Sequence, residues 1–407
     1  MPVSTLLRVK TDQVSIARAI FPLGLTAFGG PQAHIGLIQH ELVANRRWTD
    51  ERTFAELLSL CSALPGPTST QMIIGMGALR GGLPGALVAL ACWAAPAATL
   101  ASIAGIGLVG GIGHGTPPWL AGAQPAAVAL VGLSAVTLGR KVIAGRAMFL
   151  LMVFGFVATL IWQSPFAFPV TLAIAAIAGW LRRKAPHTAG AQPAADGDAR
   201  SVMLVSRRAS TVSLASFCLL LIALPVAHSV TRWQPLAWID GCFRAGSLVF
   251  GGGQVVLGVL LTEFNRIGGI SQVQMVNGIS LVQILPGPLF SIGGYIGGVE
   301  GGVLGAAACL AAIFLPGMLL MLGVLPWWHA LRGRQSVRAA LAGVNACAIG
   351  LIVTAAVVLG RHVIVGGVDA VLLLVDLILA ARFTRLPPAV IIIGSALVGW
   401  PLHLAFG

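Results

Sequence analysis

Apolar and polar positions alternate in long blocks along this chain. Apolar runs lie at about 15–38, 54–79, 82–112, 119–140, 146–162 and 165–181, and again at about 211–229, 237–258, 275–299, 301–326, 338–360, 362–381 and 388–406. Each reaches or approaches the roughly 20 residues that carry an α-helix across a ~30 Å hydrocarbon core. The pattern predicts an all-α, polytopic membrane protein. Residues 182–210 break the series, being polar, rich in Pro, Ala and Gly, and basic at both ends, which reads as an extramembrane linker. The segments therefore group as six, one and six. The expected organisation is a first repeat over 1–181, a cytoplasmic linker over 182–210, a connecting transmembrane helix over 211–229 and a second repeat over 237–407.

The two groups of six are copies. Leu120 to Arg140 aligns without a gap on Leu341 to Arg361, with 10 of 21 positions identical at an offset of 221. FGGPQAHIG from Phe28 aligns on FGGGQVVLG from Phe250 at an offset of 222, which carries Glu41 onto Glu263. The tetrapeptide LPGP occurs at Leu64–Pro67 and returns at Leu285–Pro288, and Pro96 meets Pro316. Four blocks in one register define an internal duplication.

Its geometry follows from parity. Six segments plus a lone helix separate equivalent points by an odd number of crossings, so the second copy is expected upside down relative to the first. With the N-terminus in the cytoplasm, thirteen crossings place 19 of the 25 Lys and Arg inside, as the positive-inside rule requires. The segments that carry the breaks, 15–38 and 54–79, are alternatively re-entrant hairpins. Parity and orientation then survive with nine crossings. Met1 to Lys10 lacks the apolar run and cleavage site of a secretory signal, so the first hydrophobic segment is expected to be retained.

Composition narrows the class. Apolar residues make up 57% of the chain and charged ones 9%, far from soluble norms. The formal charge of +13 is scattered between apolar segments and forms no basic stripe with interleaved aromatics, which argues against a nucleic-acid partner. The six cysteines stand singly in apolar stretches without C-x-x-C spacing, so no metal or redox site is expected. There is no P-loop, H-E-x-x-H or G-x-S-x-G, so neither direct ATP hydrolysis nor a hydrolase is expected, and no cofactor is implied.

The LPGP breaks carry the chemistry. Pro67 and Pro65 have no N–H for the carbonyls of Ala63 and Cys61, and Gly66 permits a turn between them. Such a break costs several kcal/mol per unsatisfied group in hydrocarbon unless it lines a cavity or is buried in protein. About ten residues at 1.5 Å each put it roughly 15 Å deep, near the midplane. Thr68, Ser69, Thr70 and Gln71 follow, opening a half-helix whose free N–H groups and positive dipole end form an anion cradle. The second copy offers only Leu289, Phe290 and Ser291, so the halves are expected to contribute unequally. Candidate binding residues are Gly29, Gly30, Gln32, His34, Pro65, Gly66, Pro67, Thr68, Ser69 and Gln71 in the first copy. Gly251, Gly252, Gln254, Pro286, Gly287, Pro288 and Ser291 are those of the second.

Charges inside the spans are the remaining candidates. Asp240 and Arg244 are four apart on one helical face and are expected to neutralise each other, the alternative being that Arg244 attracts an anion while Asp240 takes protons. Glu56, Glu263 and Asp376 are candidates for coupling protons, or solvated groups near segment ends. His34 shows no partner in the sequence and reads as polar lining.

FGGPQAH, then WTDER (Trp48–Arg52), then LPGPTSTQ in the first half, with FGGGQVVL and QILPGPLF in the second, resembles the chromate ion transporter family over about residues 15–400. Gly258 departs from it, standing where that family's segment usually continues into a proline. The resemblance implies a multi-pass exporter of chromate in the bacterial inner membrane, conferring chromate resistance, with two homologous halves of opposite orientation. Family motif positions fall on Phe28, Gly29, Gly30, Pro31, His34, Pro65, Gly66, Pro67, Ser69, Gln71, Gly251, Gly252, Pro286, Gly287 and Pro288. The expected partners are chromate, with sulfate or another oxyanion as the alternative, the lipid bilayer, and a second copy of the chain if it assembles.

Overall fold

The computed structural model describes residues 13–28, 30–110, 117–162, 167–182, 206–248, 256, 260, 263–264, 267, 269–328, 334–383 and 388–406. They build helices and no strand. In the first half these are α1 (Gln13–Thr26), α2 (Gly30–Ile38, prolonged by a π-helical stretch to Asn45), α3 (Glu51–Ala63), α4 (Thr68–Gly110), α5 (Pro118–Ala121), α6 (Gln124–Val142), α7 (Arg146–Ile161) and α8 (Ala167–Arg182). Helix α9 (Arg207–Thr231) connects to α10 (Gln234–Leu248), α11 (Gln272–Ile284), a 3₁₀ turn (Leu289–Ser291) running into α12 (Ile292–Val324), α13 (Gln335–Val363), α14 (Gly367–Arg382) and α15 (Pro388–Phe406).

The duplication reappears in the backbone. Helices α1, α3, α7 and α8 each begin 221 residues before α10, α11, α14 and α15. The matching extends to caps: Asp50 accepts the Thr53 N–H at the start of α3, and Ser271 accepts the Gln274 N–H at the start of α11. Replacing Asp50 or Ser271 by Ala should therefore cost about 1 kcal/mol each. A fall in the thermal midpoint of purified protein, similar for both, checks it.

Each LPGP is the tip of a helical hairpin. Leu57 on α3 lies against Gly75 on α4, and Thr53 shares a cleft with Leu79. These pairs are equidistant from Gly66, so α3 and the start of α4 run antiparallel on either side of it. Helix α4 then folds back. Gly81 and Gly82 leave helical geometry (φ −139° and +62°), and Gly77 packs on Gly85 and Ala89. In a straight helix residues 77 and 89 would stand about 18 Å apart. The second half does the same at Gly301 and Gly302 (φ −143° and +60°), where Gly297 packs on Gly305, and Tyr295 covers Gly278 across the second LPGP.

Helix α1 runs beside the outer arm of α4, with Ile16 against Gly85 and Gly24 against Trp93, and stops at Ala27. From there α2 returns to the side it came from, where the Arg80 guanidinium lies 5.7 Å from the Trp48 ring centre. Arg80 thus stacks on an aromatic face at the very turn of α4. Both broken segments of the first half are therefore re-entrant pairs, the second of the two readings the sequence leaves open. In the second half the counterpart of α2 falls mostly outside the described residues.

The inversion is visible in contacts between copies. Gly139 on α6 lies against Ile349 on α13, and Gly360 on α13 lies against Val128 on α6. Adding 221 turns 139 into 360 and 128 into 349, so one contact is made twice by equivalent helices running in opposite directions. Only a two-fold axis perpendicular to the helices, in the membrane plane, does this. Gly122 with Gly399, and Gly343 with Gly179, repeat the reciprocity.

Five of the described helices are long and apolar enough to span: Thr68–Gly107, Arg207–Thr231, Leu289–Trp327, Gln335–Val363 and Pro388–Ala405. The first and third are the folded ones, and each crosses with its outer arm only. Counting α6, α7, α8 and α14, of 16 to 19 residues, beside these five gives nine, the number that the re-entrant reading expects. The odd count is carried by α9.

Candidate functional site

The breaks converge on one carbonyl. Ala27 is the first residue beyond α1, and its oxygen accepts the His34 Nε2–H at 3.0 Å and the backbone N–H of Gly287 at 2.9 Å. A carbonyl only accepts, so the proton of the neutral ring sits on Nε2, and Nδ1 accepts the Ser69 hydroxyl at 3.3 Å. Trp93 meets the His34 ring edge-on at 5.3 Å and donates its indole N–H to Thr70 Oγ1 at 3.3 Å. The FGG break, the first LPGP and the second LPGP are thus tied together at the centre of the protein.

Gln71 bridges its own break. Its amide donates to the Pro65 carbonyl at 2.7 Å, while its backbone N–H bonds Pro67 O. Gln71 is fully buried, and among the described residues its Oε1 has no partner. Thr68, Ser69 and Thr70 are buried with it. Gly66 and Gly287 sit at φ +125° and +115°, a region open to glycine, which lets the chain reverse between two prolines.

The tips interlock across the axis. Gly66 and Pro67 pack on Gly317 of α12, beside Pro316, while Gly287 packs on Ala97 of α4, beside Pro96. These are again the same contact made twice. The side chains, however, are not duplicated. Where the first half carries His34, Ser69, Thr70, Gln71 and Trp93, the second carries Val256, Phe290, Ser291, Ile292 and Ile313. Of these only Ser291 is polar, and its Oγ is buried with no partner among the described residues.

The second half holds a buried charge cluster instead. Arg244 pairs with Asp240 at 2.7 Å, as the i,i+4 spacing predicts, and also with Glu263 at 2.9 Å. All three are about 1% exposed. Glu263 is therefore not a solvated end group, and its partner is not deducible from spacing because the two lie nineteen residues apart. Its first-half counterpart, Glu41, lies at the surface and bonds Arg46 and Asn45. Hydrogen bonds from both hold its carboxyl below the usual range.

The other sequence candidates distribute as follows. Glu56 pairs with Arg52 at 3.6 Å and lines a shallow cleft with Thr53, Leu60 and Trp328. Asp376 is buried between helices, contrary to a solvated end position, and bonds Ser395. His34, read from sequence as unpartnered, has three contacts, two of them to residues the break brings in. Sequence reasoning did not single out Trp93 or Ala27. Gly29, Gly251, Gly252 and Gln254 fall outside the described residues, as does the side chain of Gln32, while the backbone of Gly30 opens α2. Among the described residues no group of His, Cys, Asp and Glu could hold a metal ion.

Inverted repeats whose broken helices meet at mid-membrane define a class, the membrane transport proteins in which irregular backbone is buried at the repeat interface. Within that class, the model of the chromate transporter family matches residues 14–180 and again 236–400, and the chain belongs to that family. It is 27% identical over 389 residues to a chromate transport protein of Cupriavidus metallidurans, covering 93% of this chain and 90% of that one. A chromate transport protein of Pseudomonas aeruginosa is 26% identical over 344 residues, covering 81% and 76%. A probable chromate transport protein of Synechococcus elongatus is 27% identical over 391 residues, covering 93% and 92%. No solved structure matches the chain.

Proposed function

We propose that the protein is a secondary active exporter of chromate that moves the dianion out of the cytoplasm across the bacterial inner membrane and confers chromate resistance. The observation that carries the reading is the convergence of three backbone breaks, with a polar, uncharged cluster, at the midplane axis. A tetrahedral dianion there would meet the free N–H groups at the start of α4, the positive end of that helix and the Gln71 amide. The first half, Pro65 to Gln71 with His34, supplies most of the anion contacts, and Pro286 to Ser291 mainly shapes the cavity.

Orientation is supported by charge. On the nine-crossing topology, 21 of the 25 Lys and Arg fall on the N-terminal side and only Arg232, Arg244, Arg266 and Arg361 on the other. The positive-inside rule then puts the N-terminus in the cytoplasm and the C-terminus opposite. Direction is supported by the membrane potential, since a dianion leaving a negative interior gains roughly 4.6 kcal/mol per 100 mV.

Chromate uptake into everted vesicles, with sulfate as competitor, tests the reading. Saturable accumulation is expected, abolished when the driving gradient is collapsed. Sulfate uptake without chromate uptake would assign a different oxyanion. Within the site, Ser69→Ala should lower transport more than Ser291→Ala, by roughly the tenfold that a 1.4 kcal/mol hydrogen bond represents. Equal losses would point to a symmetric site, and no loss at either would remove the cradle.

A further inference from the structure

Asp376 stands on α14 at 2% exposure, with its Oδ2 2.8 Å from Ser395 Oγ on α15. The same Oγ is 2.8 Å from the carbonyl oxygen of Gly122, at the junction of α5 and α6. A carbonyl can only accept, and a hydroxyl has one proton. Ser395 therefore spends its proton on Gly122, and the second contact closes only if Asp376 brings a proton of its own. The arrangement calls for a carboxylic acid, not a carboxylate.

Among the described residues, the surroundings offer the ionised form nothing else. Helix α14 packs on α6 and α15, and the side chains around this level are Leu120, Ala126, Leu130, Ala380, Ile392 and Ala396. The charged and titratable groups of these helices are Asp369 and Arg382 on α14, Arg140 and Lys141 on α6, and His403 on α15. All stand at helix ends, six or more residues from the level of Asp376 or its contacts, and His403 is already bonded to Asp369 at 2.8 Å. Helices α5 and α11 carry no charged residue.

The site is also placed to be felt by the second hairpin. Two residues beyond Gly122, the Gln124 amide donates to Asn277 Oδ1 on α11 at 2.9 Å, and α11 ends at the second LPGP. A loss of the Ser395–Gly122 bond would free the segment that holds α11. The equivalents of Asp376 and Ser395 in the first half are Gly155 and Ala175, so this device exists once, in the half whose tip lacks the polar cluster.

We propose that Asp376 is a proton-binding site of the transport cycle: protonated while Ser395 is bonded to Gly122, it draws the Ser395 hydroxyl to itself on ionising and thereby releases α5–α6 and the second LPGP hairpin. The proposal rests on the transport reading above for its role, and on the Asp376–Ser395–Gly122 geometry for the proton. Proton loss and uptake at one carboxyl then couple a pH gradient to the movement of one hairpin.

The test uses the full chain in proteoliposomes. Chromate flux is measured with and without an imposed pH gradient for the parent, Asp376→Asn, Asp376→Glu and Ser395→Ala, and the protonated-carboxyl infrared band is recorded for each. The parent flux should respond to the gradient by roughly 5- to 150-fold, the usual range of coupling. The response should vanish in Asp376→Asn, return at least partly in Asp376→Glu, and shift along the pH axis in Ser395→Ala. The infrared band should lose intensity in Asp376→Asn. A full gradient response in Asp376→Asn, or an unchanged band, overturns the proposal. If the parent moves no chromate at all, the transport reading fails, and the infrared band alone still decides whether Asp376 holds the proton.

Discussion

Arg244→Met is expected to leave little folded protein in the membrane. The guanidinium is the positive charge that both Asp240 and Glu263 bond, at 2.7 and 2.9 Å, and the three side chains are cut off from water. Removing the cation of a buried ion-paired cluster takes this pairing from both carboxylates, at a cost of about 3–5 kcal/mol. Against a total stability of the order of 5–15 kcal/mol, that is a large share. Replacing all three together, as Arg244→Met with Asp240→Asn and Glu263→Gln, removes the charges as well as the pairing and should recover most of the loss. The yield of monodisperse protein and its thermal midpoint, read for the single and the triple variants, check this. A single variant as stable as the parent would show that the cluster carries no such strain. Chromate flux through the triple variant then separates two roles: retained flux makes the cluster a structural anchor of α10, and lost flux in a stable protein gives it a part in transport.

Much of the architecture was legible because it is written in spacing. Apolar run lengths located the spans, and four blocks in one register located the duplication and its inversion. The re-entrant alternative also followed from the LPGP and FGG breaks, but a hydropathy run cannot say whether a broken segment crosses or returns. What decided it was a second pair of turns, Gly81–Gly82 and Gly301–Gly302, which sit within apolar runs or in the short gaps between them and act through positive φ and through close packing of Gly77 on Gly85. The site was half legible. Residues next to each other in a motif, Pro65 to Gln71, could be named, and so could the i,i+4 pair Asp240–Arg244. Contacts that depend on tertiary placement could not: Ala27 receiving Gly287 from the other half, Trp93 reaching Thr70, Glu263 reaching Arg244. Each joins residues whose separation has no helical period, so no periodicity argument could have found them.

The tips lead to the second expectation. Gly66→Ala and Gly287→Ala should each reduce chromate flux strongly while leaving protein in the membrane. Both positions lie at φ above +110°, where an L side chain is strained by about 1–3 kcal/mol. Each new methyl also meets a neighbour: at Gly66 it would lie 2.6 Å from the Gln71 amide nitrogen, and at Gly287 it would lie 2.9 Å from the Ala97 methyl. The two variants therefore fail differently. Gly66→Ala displaces Gln71 from the Pro65 carbonyl and disturbs the anion contacts, so it should weaken apparent affinity as well as maximal flux. Gly287→Ala pushes the second tip off Ala97 and strains its bond to Ala27, so it should lower maximal flux with less change in affinity. At 1.4 kcal/mol per factor of ten, the strain alone predicts losses of roughly 5- to 100-fold. Gly107→Ala, on the same helix as the first tip's outer arm but with open space around it, serves as the control and should behave as the parent. Flux and affinity unchanged in both tip variants would mean that the reversals at Gly66 and Gly287 are scaffolding, and that the anion crosses elsewhere between the halves.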